Sequence, residues 1–258
     1  MSRKLTKHIK ILINSNMKAI IVLSPETSKK LIAFGVKNHP SAKNAYKHGW
    51  VILNSGSTNA YIYSALTGGK VDPELYCAGK ISEEGLNLTP TSVRISPVYL
   101  QKGKPSKKSF EEVLTQLTPS DVFIKGFNAI DSFGNAGVWL GGEGGGTIGK
   151  SIGTLVQKGC KVLLAGGLEK LVFDVQESAE FCNDQVDYFS GMNARMILLS
   201  GFEFITEIEA LSICFEINAV LLGSGGLGES AGAVVLGLEG DSRAVKKAVN
   251  FIEKLKKD

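Results

Sequence analysis

Short apolar runs that are continuous rather than alternating are what most restrict this chain. Trp50–Leu53, Val122–Lys125, Val138–Leu140 and Lys161–Ala165 read as strands, and helical patterns separate them. A strand apolar on both faces is buried on both faces, the signature of a parallel sheet covered by helices. Helices are expected at Pro25 to about Gly35, Pro40–His48, Thr58–Leu66, Phe110–Leu117 and Thr147–Lys158. Ser24 is the N-cap of the first, with Pro25 at its first position. Val93–Leu100 alternates like a strand, and Pro97 demotes it to an edge. The last quarter reads strand, helix, strand, strand, helix: Met196–Leu199, Glu207–Phe215, Ala219–Leu222, Ala233–Leu238 and Ser242–Lys256. The expectation is a three-layer α/β/α fold with a mostly parallel sheet, the last quarter being a small α+β C-terminal appendage or the sheet's other edge. Its parts would be a basic extension (1–16), an α/β ligand-binding core (17–195) opening with strand Ala19–Leu23, and a subdomain packed on that core (196–258).

No apolar run reaches the ~18 residues of a membrane span, so a membrane is not an expected partner. The formal charge is +4, but Arg3, Lys4, Lys7, Lys10 and Lys18 supply more than that excess. No aromatic residues interleave these charges, which argues for a solvated tail and against a nucleic-acid arm. Cys77, Cys160, Cys182 and Cys214 form no metal-binding spacing, and are expected as reduced, buried thiols of a cytoplasmic protein. His8, His39 and His48 are scattered and expected at the surface; Trp50 and Trp139 are expected in the core.

Half of the 30 glycines fall in two windows, 134–149 and 223–240. Such density suits positions of positive φ or close approach of backbone to a ligand. Within the first window, Gly144–Ser151 satisfies G-x-x-x-x-G-K-[ST], whose amides and lysine (here Lys150) cradle phosphates in P-loop nucleotide hydrolases. Such enzymes also need an aspartate ending an apolar strand, and neither Asp121 nor Asp174 is so placed. Upstream, Ser55-Gly56-Ser57-Thr58-Asn59 joins a strand to a helix, where hydroxyls and free amides suit an anion.

Together these pieces resemble the superfamily of ribose-5-phosphate isomerase, glucosamine-6-phosphate deaminase and the coenzyme A transferases. Ser55–Thr58 resembles the phosphate loop G-[ST]-G-S-T, Asp121–Ala129 sits where D-G-A-D-E would be, and Glu143–Gly146 resembles K-G-G-G. Asn128–Asp131, Gly134-Asn135 and Ile152–Thr154 also look like methylthioribose-1-phosphate isomerase. The resemblance runs over about residues 50–240 and implies the three-layer fold and a phosphorylated or coenzyme A-bearing ligand. It departs where chemistry is concerned. The two aspartates fall on Lys125 and Asn128, the lysine on Glu143, and a helical glutamate near Ile152. Isomerisation needs a carboxylate base, so the reaction does not transfer with the fold.

The candidate catalytic residues are therefore Glu143, Asp131 and Lys125. Ser55, Gly56, Ser57, Thr58 and Asn59 are assigned to phosphate, and Asn128, Gly144, Gly145, Gly146, Thr147 and Lys150 to the rest of the ligand. Glu169 and Lys170 join the titratable residues expected at strand ends, where open α/β sheets bind ligands. Glu143, a carboxylate in a glycine loop, would be the nucleophile of an acyl-CoA reaction by resemblance. The residues specify no cofactor and leave three functions open: an isomerase-like or acyl-CoA protein binding a phosphorylated small molecule, a P-loop hydrolase, and a non-catalytic sensor or binding module. A homo-oligomer is expected.

Overall fold

The structure, a computed structural model, describes residues 16–257. Apart from Asn16, the expected N-terminal extension lies outside them. The chain begins β1 (Asn16–Leu23), α1 (Pro25–Asn38), α2 (Pro40–His48), β2 (Trp50–Leu53), α3 (Ser57–Thr67), β3 (Gly79–Ser82) and β4 (Gly85–Leu88). It continues with β5 (Val98–Gln101), β6 (Lys104–Pro105), α4 (Phe110–Gln116), β7 (Val122–Lys125), β8 (Ala129–Ile130) and β9 (Asn135–Leu140). Next come α5 (Gly146–Gln157), β10 (Lys161–Ala165), α6 (Val175–Asn183), β11 (Arg195–Ser200) and β12 (Glu203–Ile205). The chain closes with α7 (Glu207–Phe215), β13 (Asn218–Gly225), β14 (Ala233–Asp241) and α8 (Ser242–Leu255).

The fold is mixed α/β around a six-stranded mixed sheet of order β12-β10-β7-β2-β5-β6. The first four strands are mutually parallel; β5 and β6 extend the sheet in antiparallel sense. Alternate residues of the apolar runs point to opposite faces. Val51, Leu53, Val122, Ile124, Leu163 and Ala165 pack under α1, α2 and α3. Trp50, Ile52, Phe123, Val162 and Leu164 pack against α4, α5 and β9. At the entry to β7, Asp121 is buried and fully used: its Oδ1 accepts from Trp50 N at 2.6 Å, and its Oδ2 from Thr118 N and Oγ1 at 2.7 and 2.8 Å.

Several expectations are corrected. The strand at Ala19–Leu23 does not open the core sheet; β1 pairs antiparallel with β14 in a separate sheet, β1-β14-β13. In the last quarter β11 pairs with β9, and β12 pairs with β10 as the outer strand of the main sheet, in line with the other-edge reading for that strand, while β13 and β14 stand apart with β1. Such long-range pairing is not encoded in local pattern. Helix α1 runs past Gly35 to Asn38, because that glycine is a packing position: a Cβ there would sit 2.6 Å from Ala210 Cβ on α7. Among the histidines, His39 is buried, with Nε2 2.9 Å from Glu203 Oε1. The four cysteines are free, but only Cys160 is buried. No described helix is long and apolar enough to cross a membrane.

Candidate functional site

Chain order in the main sheet reverses between β2 and β7: from β2 the chain runs outward to β5 and β6, then returns to β7, β10 and β12 on the other side. Connections leaving neighbouring strands in opposite directions open a crevice outside their carboxyl ends. A cavity of about 390 Å³ lies there.

Two asparagines tie the start of α3 to β7 beside it. Asn54, just after β2, and Asn59, in the first turn of α3, both donate through Nδ2 to Ile124 O, at 3.1 and 3.2 Å. Asn59 also donates to Asn54 O at 2.7 Å, and these two bonds fix its amide orientation. Its Oδ1 is thereby left buried, with no partner. Asn59 lines the cavity. Tyr76 fastens the same loop: its hydroxyl donates to Leu53 O at 2.9 Å and accepts from Val98 N at 3.0 Å, and its carbonyl accepts from Gly56 N at 3.0 Å. Burial pushes this phenol above the usual tyrosine range, so it stays a neutral donor.

Two helices begin at the cavity. The N-cap of α3 is Gly56 and that of α5 is Gly145, and neither start has a side-chain cap. Five other helices among the described residues are capped by a Ser, Thr or Asp side chain, and α2 begins with a proline that has no N–H. First-turn amides of α3 and α5 are thus left for something else to bond, with the positive ends of two helix dipoles behind them. Ser55–Asn59 and Gly145–Ile148 line the cavity together. Gly144, Gly145 and Gly146 all have positive φ, a backbone path that explains three successive glycines.

Charge on the walls has one sign. Arg94, Lys125, Lys170 and Lys80 line the cavity, and no aspartate or glutamate does among the described residues. Lys125 ends β7, with Nζ donating to Gly126 O at 3.1 Å. Burial first, then repulsion from Lys170, lower its ammonium pKa to about 8, with Cys77 opposing. Lys170 lies in a short turn after β10, over the Phe127 ring at 5.5 Å. Asn128 spends Oδ1 on Trp139 N at 3.1 Å, which turns its Nδ2 into the available donor. Trp139, expected in the core, is half-buried and lines this wall.

Of the residues expected at the site, Ser55, Gly56, Ser57, Thr58, Asn59, Lys125, Asn128, Gly145, Gly146 and Thr147 line one cavity. Glu143, Gly144, Lys150 and Asp131 are not in its lining. Glu143 and Lys150 are exposed, and the Lys150 side chain packs by Gly144, a Cβ on which would lie 3.0 Å from Lys150 Cε. Asp131 is buried in a turn, where it accepts from Phe133 N, Asn135 N, Asn135 Nδ2 and Val175 N. The strand before the glycine loop, β9, belongs to an antiparallel sheet, β11-β9-β8, unlike the parallel strand that precedes a P-loop. Ser151 is buried and donates to Thr147 O at 2.8 Å within its own helix.

Arg94 and Cys77 were not expected at the site. Both lie outside regular secondary structure, in the excursion between α3 and β5: the strand expected over Val93–Leu100 begins only at Val98, leaving Arg94 in irregular backbone, and no periodicity marks Cys77. Lys170 carried a weak one, following Gly166-Gly167 at the end of β10. Comparison of the chain with family models, with curated proteins and with solved structures finds no match.

Proposed function

We propose that this protein binds a phosphorylated small molecule in the cavity between β2 and β7, within a three-layer α/β/α arrangement. The observation carrying this reading is the convergence of two glycine-capped helix starts on one cavity whose charged lining is entirely cationic. A phosphate monoester would take the amides of Ser57–Asn59 and Gly146–Ile148, and Lys125, Lys170 and Arg94 would offset its charge. The buried Asn59 Oδ1 would accept a ligand hydroxyl.

Isomerase-like and acyl-CoA chemistry both ask for a carboxylate that the lining lacks, so neither is assigned. The P-loop reading has less support, because Lys150 is exposed and not in the lining, and β9 is antiparallel. A sugar phosphate or a coenzyme A ester both present the phosphate that this reading needs. Calorimetric titration tests it: ribose 5-phosphate or coenzyme A should bind, and a Lys125→Met/Lys170→Met variant should lose at least about tenfold in affinity, roughly 1.4 kcal/mol. Unchanged affinity in that variant, or tighter binding of ATP-Mg lost in Lys150→Ala, would overturn it. A homo-oligomer is part of the same proposal. The exposed Ile20, Val22, Val220 and Leu222 of the β1-β14-β13 sheet are the apolar surface in its favour, and light scattering reads the mass.

A further inference from the structure

We infer that Lys125 is a nucleophilic amine that captures the carbonyl group of the cavity's ligand as an iminium. The inference rests on the cavity being the ligand site, and adds to it the class of ligand: an aldehyde or ketone carrying a phosphate.

Three observations carry it. First, Lys125 has no acidic partner among the described residues; its one hydrogen bond goes to the carbonyl of the next residue. A lysine kept for structure or for charge balance is ordinarily paired when it is withdrawn from water. Second, it lines the cavity at the carboxyl end of β7. Ile124, the residue before it, receives the hydrogen bonds of both Asn54 and Asn59, so the start of α3 is fastened directly beside it. A phosphate on α3 would hold the body of a short ligand against Lys125. Third, the lining holds three lysine amines, Lys80, Lys125 and Lys170, with one thiol, Cys77, and no carboxylate. Lys170 lies 3.8 Å from Glu169, whereas Lys125 ends a central strand of the main sheet with no such partner among the described residues. Desolvation beside a second cation keeps a lysine amine partly neutral near neutral pH; Lys125 is half-buried and shares the cavity lining with Lys170.

The chemistry balances without any further reactant. The neutral Nζ attacks the carbonyl carbon, a C–N bond forms, and the carbonyl π pair moves to oxygen, which takes the proton lost by nitrogen. Asn128 Nδ2 is the donor available to that oxygen. The carbinolamine hydroxyl then takes a proton and leaves as water while the nitrogen lone pair closes the C=N bond, giving the iminium.

Trapping tests this on the full chain. Glyceraldehyde 3-phosphate, and glyceraldehyde in a parallel arm, are incubated with the protein and sodium cyanoborohydride, and the modified lysines are mapped by peptide mass spectrometry. The expected result is one adduct, on Lys125, formed about tenfold or more faster than on exposed lysines, whose amines are far less often neutral at pH 7.5. It should vanish in Lys125→Arg while the circular dichroism spectrum is unchanged. Labelling spread evenly over the surface lysines, or centred on Lys170, would overturn the inference. Titration with ribitol 5-phosphate, which has no carbonyl, separates the two readings. Binding of ribitol 5-phosphate without a selective Lys125 adduct sinks the iminium and leaves the phosphate site. A selective glyceraldehyde adduct without ribitol 5-phosphate binding sinks the phosphate site and leaves the reactive amine.

Discussion

The carboxylate of Glu207 accepts the main-chain N–H of Leu168 at 3.0 Å, through Oε2, in a fully buried setting. Glu207 opens α7, and Leu168 opens the turn that carries Lys170 to the cavity. One hydrogen bond thus ties the helix after the main sheet to a cationic wall of the site.

Burial first, with repulsion from Glu169 behind it, raises Glu207 to about 7 against an ordinary 4.5, although Ser28 and Leu168 N pull the other way. A folded-state value above the unfolded one means that the native state binds more protons between pH 4.5 and 7. Stability should therefore fall as pH rises through that window. Glu207→Gln keeps an acceptor for Leu168 N and removes the titration. It should be the more stable protein at pH 8, by on the order of 3 kcal/mol at most. Urea midpoints at pH 5 and pH 8 check this; a pH dependence equal to wild type would count against it.

Lys125 titrates in the opposite sense. Its folded value, about 8, lies below the ordinary 10.5, so the unfolded chain binds more protons between those limits and stability should rise with pH there. Lys125→Met should stabilise the protein at pH 7, by a margin that narrows from pH 8 upward. Non-covalent phosphate binding should weaken as pH rises through about 8, while carbonyl trapping speeds up. Lys170 and Cys77 face the same amine, so Lys170→Met should move both midpoints upward by relieving the repulsion. Parallel calorimetry and trapping across pH 6.5–9 would measure the two opposed trends.

Asp131→Ala should cost roughly 2–4 kcal/mol, because four donors lose one acceptor in a buried turn. Burial alone would raise this carboxyl, but those bonds outweigh it and hold the pKa below 3.8. The stabilisation is complete above that value and disappears as pH falls through the folded one. Urea midpoints measured at pH 6 and pH 3 should differ less in the variant than in wild type, and an equal difference would count against this.

Gly35→Ala sets a Cβ 2.6 Å from Ala210 Cβ, and α1 and α7 must separate to admit it. Overpacking of this kind costs roughly 1–3 kcal/mol, more than the ~1 kcal/mol that alanine returns in helix propensity. Adding Ala210→Gly should recover most of the loss in a thermal-melt double-mutant cycle, and no recovery would refute the contact.

The main-sheet strands were legible because Val51–Leu53, Val122–Ile124 and Val162–Leu164 are apolar at every position, which only a doubly covered sheet accommodates. Ser55–Asn59 stood out as small polar residues between strand and helix, a pattern that ordinary helix N-caps share, and they line the cavity. Glu143 and Lys150 misled for a physical reason. The positive φ values of Gly144–Gly146 steer the chain so that the amides, rather than the flanking charges, reach the cavity. No local pattern encodes that. Arg94 and Cys77 arrive on an irregular excursion, and Lys170 depends on Glu207, 37 residues further on.

The pairing of β1 with β14 joins residues more than 200 positions apart, Ile20 opposite Gly237. Closing so long a loop is entropically costly and slow, and the ladder cannot start until β14 has been synthesised. During translation β1 therefore emerges as an unpaired strand, with Ile21 and Leu23 lacking the partners that bury them in the native state. The main sheet, complete by Ile205, is free to fold first. Premature termination after that point would leave a chain holding its cavity strands and a sticky leading edge, a natural substrate for chaperones.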